Sequence, residues 1–225
     1  KLVIKYTLKN FRLNLFLFFN LMIYMIISHK YKCIFVRVPK TGSTSIEKLW
    51  KIIDPNCQIS DDHTPPYGHF KCTELKRVIG EEMWNNYFKF AFVREPKLWF
   101  KSQYTDNMKY EHEVDTKIHI LLNERYMLDD PVNKVLSLDN CINLYVFLNK
   151  WFKGKSMSTY LDLEVDYIGL LENFHEDLIK ILKKIGYNDH LEIPHERKSY
   201  SNQYSFDEDS NKFLDLVLKE DIELY

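Results

Sequence analysis

The sequence has no surplus of positive charge: 31 Lys and Arg stand against 32 Asp and Glu, for a net charge of -1. That excludes an overall basic field able to grip a nucleic-acid backbone, so any anion must be held by local charge. The four cysteines, Cys33, Cys57, Cys72 and Cys141, form no CxxC pair and have no histidine at zinc-finger spacing, which argues against a structural zinc module. They fit a reduced, cytosolic chain, with two disulfides in a secretory compartment as the alternative. Cys33, inside the apolar run 33–38, reads as a packed core thiol. No internal repeat and no low-complexity linker interrupts the chain, and its length is enough for one domain to bury a core without staples.

Long hydrophobic runs are also scarce. The main one, residues 13–27 (LNLFLFFNLMIYMII), contains Asn14 and Asn20 and falls short of the roughly twenty apolar residues that span a bilayer. No small-residue cleavage site follows it, unlike a secretory signal. Lys9, Arg12, Lys30 and Lys32 flank it as they would a signal anchor, but only residues 28–32 separate it from the first predicted core strand. The chain opens on Lys1, and Met22 and Met25 stand just ahead of that strand. The expected organisation is an N-terminal extension over residues 1–24 and a single domain over residues 25–225. A membrane contact is open only through residues 11–27, as a short anchor.

Residues 31–38 (YKCIFVRV) form a β-branched and aromatic run ended by Pro39, and residues 88–93 (FKFAFV) form a second run ended by the Arg94–Glu95–Pro96 turn. Both predict buried strands, and residues 165–171 predict a third. Ile46, Leu49, Trp50 and Ile53 mark one face of a helix over 45–53. Further helices are predicted over 73–79 (closed by Gly80), 98–107, 144–151, and from Asn173 to residue 185 through an Asn173–Glu176 capping box. Residues 54–67 and 187–206 read as loops. A last helix from Asp209 places Phe213, Leu214, Val217, Leu218 and Ile222 on its packed face. Strands alternating with helices predict an α/β fold: a P-loop-like, mainly parallel β-sheet flanked by helices.

The densest chemistry lies at residues 35–45, FVRVPKTGSTS. A strand enters a tight turn of Lys40, Thr41, Gly42, Ser43 and Thr44, and a helix starts at once. Exposed N–H groups and the dipole at a helix start favour an anion. Gly42 admits a close backbone approach, Ser43, Thr44 and Ser45 supply hydroxyls, and Lys40 adds a mobile charge. Lys40 precedes the glycine, so this is not the GxxxxGK[ST] loop of the nucleotide triphosphatases. In the second segment, FAFVREPKLWFKSQY at residues 90–104, a strand delivers Arg94 at its carboxyl end, where open α/β sheets bind ligands. Arg94 can grip phosphate through two parallel hydrogen bonds, and Ser102 on the following helix adds a hydroxyl.

Together, VPKTGSTS at residues 38–45 and FVREP at 92–96 with Ser102 resemble the carbohydrate sulfotransferases of the Golgi type and their bacterial relatives, the group that includes the heparan sulfate and chondroitin sulfotransferases. Residues 165–178 (VDYIGLLENFHEDL) are similar to the family's later IGRxE segment, and the final KEDIELY to its closing stretch. Leu170 departs from the pattern, standing where relatives often carry arginine. The resemblance implies sulfuryl transfer from 3′-phosphoadenosine 5′-phosphosulfate to a hydroxyl, on a carbohydrate or similar acceptor, without a metal.

The resemblance further implies that the residues 40–45 loop holds the 5′-phosphosulfate and that Arg94 and Ser102 hold the 3′-phosphate. Lys40 would stabilise charge on the bridging oxygen. The family places its general base between the two segments, which leaves His69, favoured because it precedes a predicted helix, and His63 in the Pro-rich loop. The family also adds a membrane-anchored, Golgi-type location as the alternative to the cytoplasm. Two other functions compete: a nucleotide- or glycan-binding module without turnover, and a small-molecule kinase. The kinase would need a Walker lysine and a magnesium-binding acid after a strand, and neither is found.

Overall fold

The computed structural model describes residues 25–59, 69–114, 134–136, 156–189, 204–206 and 208–225. The chain enters through strand β1 (Met25–Ser28), turns through residues 29–32 and returns as β2 (Cys33–Val36), antiparallel to it. Helix α1 (Ser43–Ile53) follows, then the short strand β3 (Gln58–Ile59), which pairs antiparallel with β1. Helices α2 (Cys72–Ile79) and α3 (Glu81–Asn86) lead to β4 (Phe88–Val93), which runs parallel to β2. Next come α4 (Pro96–Val114), β5 (Lys134–Leu136), α5 (Met157–Tyr160) and β6 (Tyr167–Leu170), the last parallel to β4. A 3-10 turn (Leu171–Asn173) opens α6 (Phe174–Lys184). Strand β7 (Tyr204–Phe206) pairs parallel with β5, and α7 (Glu208–Val217) and α8 (Lys219–Leu224) close the chain.

The main sheet has the order β3-β1-β2-β4-β6. Only β1 opposes the common strand direction, so this is the mainly parallel, P-loop-like α/β domain that the alternating elements predict. Side chains alternate across β2 and β4. Ile34, Val36, Ala91 and Val93 join one apolar cluster with Leu75, Trp84, Trp99 and Phe100 from α2, α3 and α4. Cys33, Phe35, Phe90 and Phe92 join the opposite one with α1 and α6. On α1, Ile46, Leu49, Trp50 and Ile53 are all buried, each contributing about 1.5–3 kcal/mol. Gly169 in β6 has no side chain for a packing reason: a Cβ there would lie 2.6 Å from the Phe92 ring. Cys33 is buried in this core, and burial pushes its thiol up to about 12.

The structure corrects several expectations. Residues 25–27 end the long apolar run, yet they are strand β1, buried within the sheet. That part of the run is therefore unavailable to a membrane, while residues 1–24 lie outside the described residues. Among the described residues no helix is long and apolar enough to cross a membrane. The Asn173–Glu176 capping box does not form. A capping side chain reaches forward from an extended backbone, whereas Asn173 sits at φ -111, ψ 27 in the 3-10 turn. Ile222 is 44% exposed and Asp221 is buried instead, because the C-terminal helix breaks at Leu218 into α7 and α8. Two presumed loops carry short strands, β3 and β7. The predicted helix over 144–151 lies outside the described residues.

Candidate active site

Three neighbouring strands, β2, β4 and β6, run parallel and end at one edge of the sheet, with Val36 level with Ala91 and Val93 level with Leu170. Each passes directly into a helix there. The residues between strand and helix are 37–42, 94–95 and 171–173, so adjacent strands bring these three turns together.

The first turn is tied down from within and from its neighbours. The Thr41 hydroxyl donates to the Val38 carbonyl at 2.9 Å, and the indole N–H of Trp99 on α4 donates to the Pro39 carbonyl at 2.7 Å. Lys40 takes φ 63 and Gly42 φ 85, the left-handed region that costs a residue with a Cβ about 1–2 kcal/mol. Gly42 N-caps α1 with no side-chain hydrogen bond, and no acid stands in the first turn. The positive end of the α1 dipole is therefore left to whatever anion approaches it. A Cβ on Gly42 would meet Leu171 Cδ1 at 2.9 Å, so the turn lies directly against the residues that follow β6. Ser43 and Thr44 are half-buried at the helix start, and Ser45 is buried. Beneath the turn, Arg37 is buried with Nη2 3.7 Å from Glu47 Oε2.

The second turn is organised by Glu95. Its carboxylate accepts from the Lys97 and Leu98 N–H groups at 3.1 and 2.6 Å, capping α4, and its own N–H donates to Glu172 Oε1 at 3.1 Å. Arg94 is half-buried, and its N–H points to Met157 Sδ at 3.4 Å. Burial pulls its guanidinium pKa down, while Glu172 and Glu95 pull it up. Ser102 is buried on α4, beside Lys101, which is also buried. Leu170 brings no charge to the edge. Its N–H donates to Asp177 Oδ2 at 2.8 Å, which pins β6 to α6.

His69 reaches the same edge from the residues just before α2. Its Nδ1 lies 2.9 Å from the Arg37 carbonyl, and since a carbonyl only accepts, Nδ1 carries the proton and Nε2 is the nitrogen able to take one. The Tyr160 ring meets the imidazole edge-on at 5.9 Å. Burial pushes the Tyr160 phenol up to about 12, with Glu74 adding to the shift. His63 lies outside the described residues. Among the described residues no group of three or more His, Cys, Asp or Glu side chains could hold a metal ion.

Lys40, Thr41, Gly42, Ser43, Thr44, Ser45, Arg94 and His69 thus come from separate stretches of chain to one sheet edge, and Ser102 follows on α4. Sequence reasoning missed Trp99, Glu95 and Glu172. Trp99 gives no signal beyond an apolar helix position, and Glu95 looks like a partner for Arg94 rather than a helix cap.

Comparison with curated proteins and with solved structures finds no match. A family model described as the sulfotransferase family matches residues 24–222, spanning the sheet, both turns and the C-terminal helices. On that match the chain belongs to the sulfotransferase family.

Proposed function

We propose that the protein moves a sulfuryl group from 3′-phosphoadenosine 5′-phosphosulfate to a hydroxyl of a carbohydrate or similar acceptor, and that residues 25–225 form the working domain. Family membership supports sulfotransfer in general. The observation that carries the finer assignment is the meeting of the Lys40–Gly42 turn and the Arg94 turn on adjacent parallel strands.

The residues suit such a donor. The uncapped start of α1 supplies N–H groups and a positive dipole end for the 5′-phosphosulfate. Thr41 spends its hydroxyl proton on Val38, so its part is to shape the turn, while Ser43, Thr44 and Ser45 are the hydroxyl-bearing residues at the helix start. Arg94 and Ser102 hold the 3′-phosphate. The donor, when bound, supplies the activated sulfuryl group.

Within this frame the work of the chain is positioning and charge stabilisation, as in phosphoryl transfer. Lys40 holds the negative charge that builds on the phosphate oxygen as its bond to sulfur breaks. His69 takes the acceptor hydroxyl proton at Nε2, with Nδ1–H fixed on the Arg37 carbonyl; His63 is the other candidate for that role. The reading gives no role to a metal, because Lys40 supplies the charge.

A thermal-shift titration with adenosine 3′,5′-bisphosphate against ATP tests it. A clear preference for the 3′-phosphorylated nucleotide, together with sulfate transfer to a hydroxyl acceptor, is expected. Equal or stronger stabilisation by ATP would return the kinase reading, and nucleotide preference without any transfer would return the binding module.

A further inference from the structure

Two parts of the proposed site meet a single turn of helix. Helix α5 is only four residues long, Met157–Tyr160. Its Met157 is buried, and the sulfur lies 3.4 Å from the Arg94 N–H. Three residues on, the Tyr160 ring stands edge-on to His69 at 5.9 Å. One turn therefore touches both the main chain that carries Arg94 and the imidazole assigned the acceptor proton. A shift of α5 would move both.

A turn this short depends on outside partners, because the first turn of a helix fixes several residues for a single hydrogen bond. The N–H groups of Met157, Ser158 and Thr159 are all taken by side chains. Ser156 Oγ accepts from Thr159 at 3.2 Å. The N–H groups of Met157 and Ser158 go to Oδ2 and Oδ1 of Asp221, at 3.0 and 2.9 Å. Asp221 stands 64 residues beyond Met157, in the first turn of α8. A second link joins the same two helices, since the Ser158 hydroxyl donates to Glu220 Oε2 at 3.1 Å. Asp221 is completely buried, and burial pushes its carboxyl up against the pull of the two N–H groups. Two hydrogen bonds to separate oxygens fix the orientation of α5 as well as its position, which apolar contact alone does not do.

We propose that Asp221 is a positioning residue for sulfate transfer: from α8 it clamps the α5 turn, and through Met157 and Tyr160 it sets Arg94 and His69 at one mutual spacing. This rests on the donor and base assignments above. It gives α8 a part in the reaction, by tying the place of the donor nucleotide to the place of the acceptor proton.

The test measures three quantities on the full chain, well below its melting temperature: Kd for adenosine 3′,5′-bisphosphate by calorimetry, kcat for sulfate transfer to a hydroxyl acceptor, and Tm. Asp221→Asn keeps the shape of the side chain but turns an amide N–H toward a backbone donor. Asp221→Ser avoids that conflict and stands in if the first variant fails to fold. Asp54→Asn is the control: Asp54 is also buried and accepts from the Ser28 hydroxyl at 2.6 Å and the Asn56 N–H at 3.2 Å. It does so at the far end of the sheet, where Ser28 pairs with Cys33. Asp221 variants should weaken the bisphosphate and lower kcat by about tenfold each, within the roughly 10²-fold cost of a ~1 Å misplacement. Asp54→Asn should lower Tm and leave both within about twofold, as expected of a change far from the chemistry that moves nothing in the site. Met157→Leu should act mainly on binding and Tyr160→Leu mainly on kcat, which separates the two arms of the clamp. Asp221 variants that lose Tm alone, as the control does, or that change only one of Kd and kcat, would overturn the inference. So would Met157→Leu and Tyr160→Leu variants that move neither quantity. Each of these leaves the donor assignment standing, provided wild type prefers the bisphosphate to ATP. A wild type without that preference would remove the donor assignment itself, and the role of Asp221 with it.

Discussion

Helices α1 and α4 begin at the same sheet edge, each a few residues beyond one of two adjacent parallel strands, and they treat their N-termini in opposite ways. On α4 the Glu95 carboxylate takes the Lys97 and Leu98 N–H groups, so the positive end of that dipole is spent within the chain. On α1 the cap is Gly42, with no side-chain hydrogen bond and no acid in the first turn. The third helix at this edge, α6, resembles α4 in carrying acids, Glu176 and Asp177, in its first turn. A helix start with neither a capping side chain nor an acid in its first turn, beside one whose N–H groups are taken and one that carries acids, marks where an external anion gains most from the backbone. Near α4 the anion would have to be met by side chains such as Arg94. The two ends of one nucleotide would thus be held by different physics: backbone N–H groups and dipole at α1, a side-chain cation at α4.

The largest expected effect comes from breaking the α1 side. Lys40→Ala should lower kcat for sulfate transfer by about 10²–10³, the scale of losing one preorganised charge contact in the transition state, with the melting temperature little changed. Transfer unaltered by this substitution would refute the role given to Lys40. Gly42→Ala attacks the same turn through packing. Its Cβ would stand 2.9 Å from Leu171 Cδ1 on a backbone at φ 85, so a stability loss of about 1–3 kcal/mol is expected, along with weakened nucleotide binding in a thermal-shift titration.

Asp177→Asn tests the acid in the first turn of α6. Burial raises the Asp177 pKa, but Lys180, the Leu170 N–H and the Tyr167 hydroxyl together outweigh it and hold the carboxyl below its usual range. A carboxylate with a depressed pKa stabilises the fold above its unfolded value, about 3.9, and loses that contribution as pH falls through the folded value. The gap in melting temperature between wild type and Asp177→Asn should therefore be full at pH 6 and shrink below about pH 4. A gap that does not vary with pH would mean that the charge of Asp177 is not what pins β6 to α6.

How much of this was legible in the chain follows from what each residue does. β2 and β4 are short apolar runs ended by turn residues, and α1 shows its buried face at helical spacing, so all three could be read directly. The polar turn between β2 and α1 is compact in sequence because strand, turn and helix follow one another at once. β1 was hidden because its four residues are all buried, which leaves no polar alternation to separate it from the apolar run before it. Asp221 could not be anticipated. Its carboxylate accepts from the Met157 and Ser158 N–H groups, at 3.0 and 2.9 Å, and that partnership exists only after distant segments have packed. Lys89 was hidden for a related reason: a strand pattern does not show that its ammonium is buried against Asp166 and the Trp84 and Tyr87 carbonyls.

Removing the cap from α4 should cost less than either change to the α1 turn. Glu95→Ala frees two N–H groups that the carboxylate now satisfies, an expected loss of about 1 kcal/mol. It also removes one of the two carboxylates that act on Arg94, so affinity for adenosine 3′,5′-bisphosphate should hold or rise. If affinity fell instead, Glu95 would be aligning Arg94 and not only closing the helix, and the contrast between the two helix starts would need redrawing.

The smallest effect is the most selective, because it separates the backbone of the α1 turn from its charge. Lys40 has a Cβ and sits at φ 63, a conformation that costs roughly 1–2 kcal/mol and that glycine adopts without penalty. Lys40→Gly removes that strain but gives the unfolded chain more freedom, which offsets about 0.5–1 kcal/mol. The net expectation is a gain of up to about 1 kcal/mol, or about 2–4 °C in Tm for a chain of this size. Lys40→Ala keeps the Cβ and therefore the strain. The two variants should be equally poor in sulfate transfer, with the glycine variant melting higher. That difference would show that the fold carries a strained residue at position 40. If glycine melted lower than alanine, the left-handed turn would be costing the protein nothing, and the placement of Lys40 would owe nothing to stored strain.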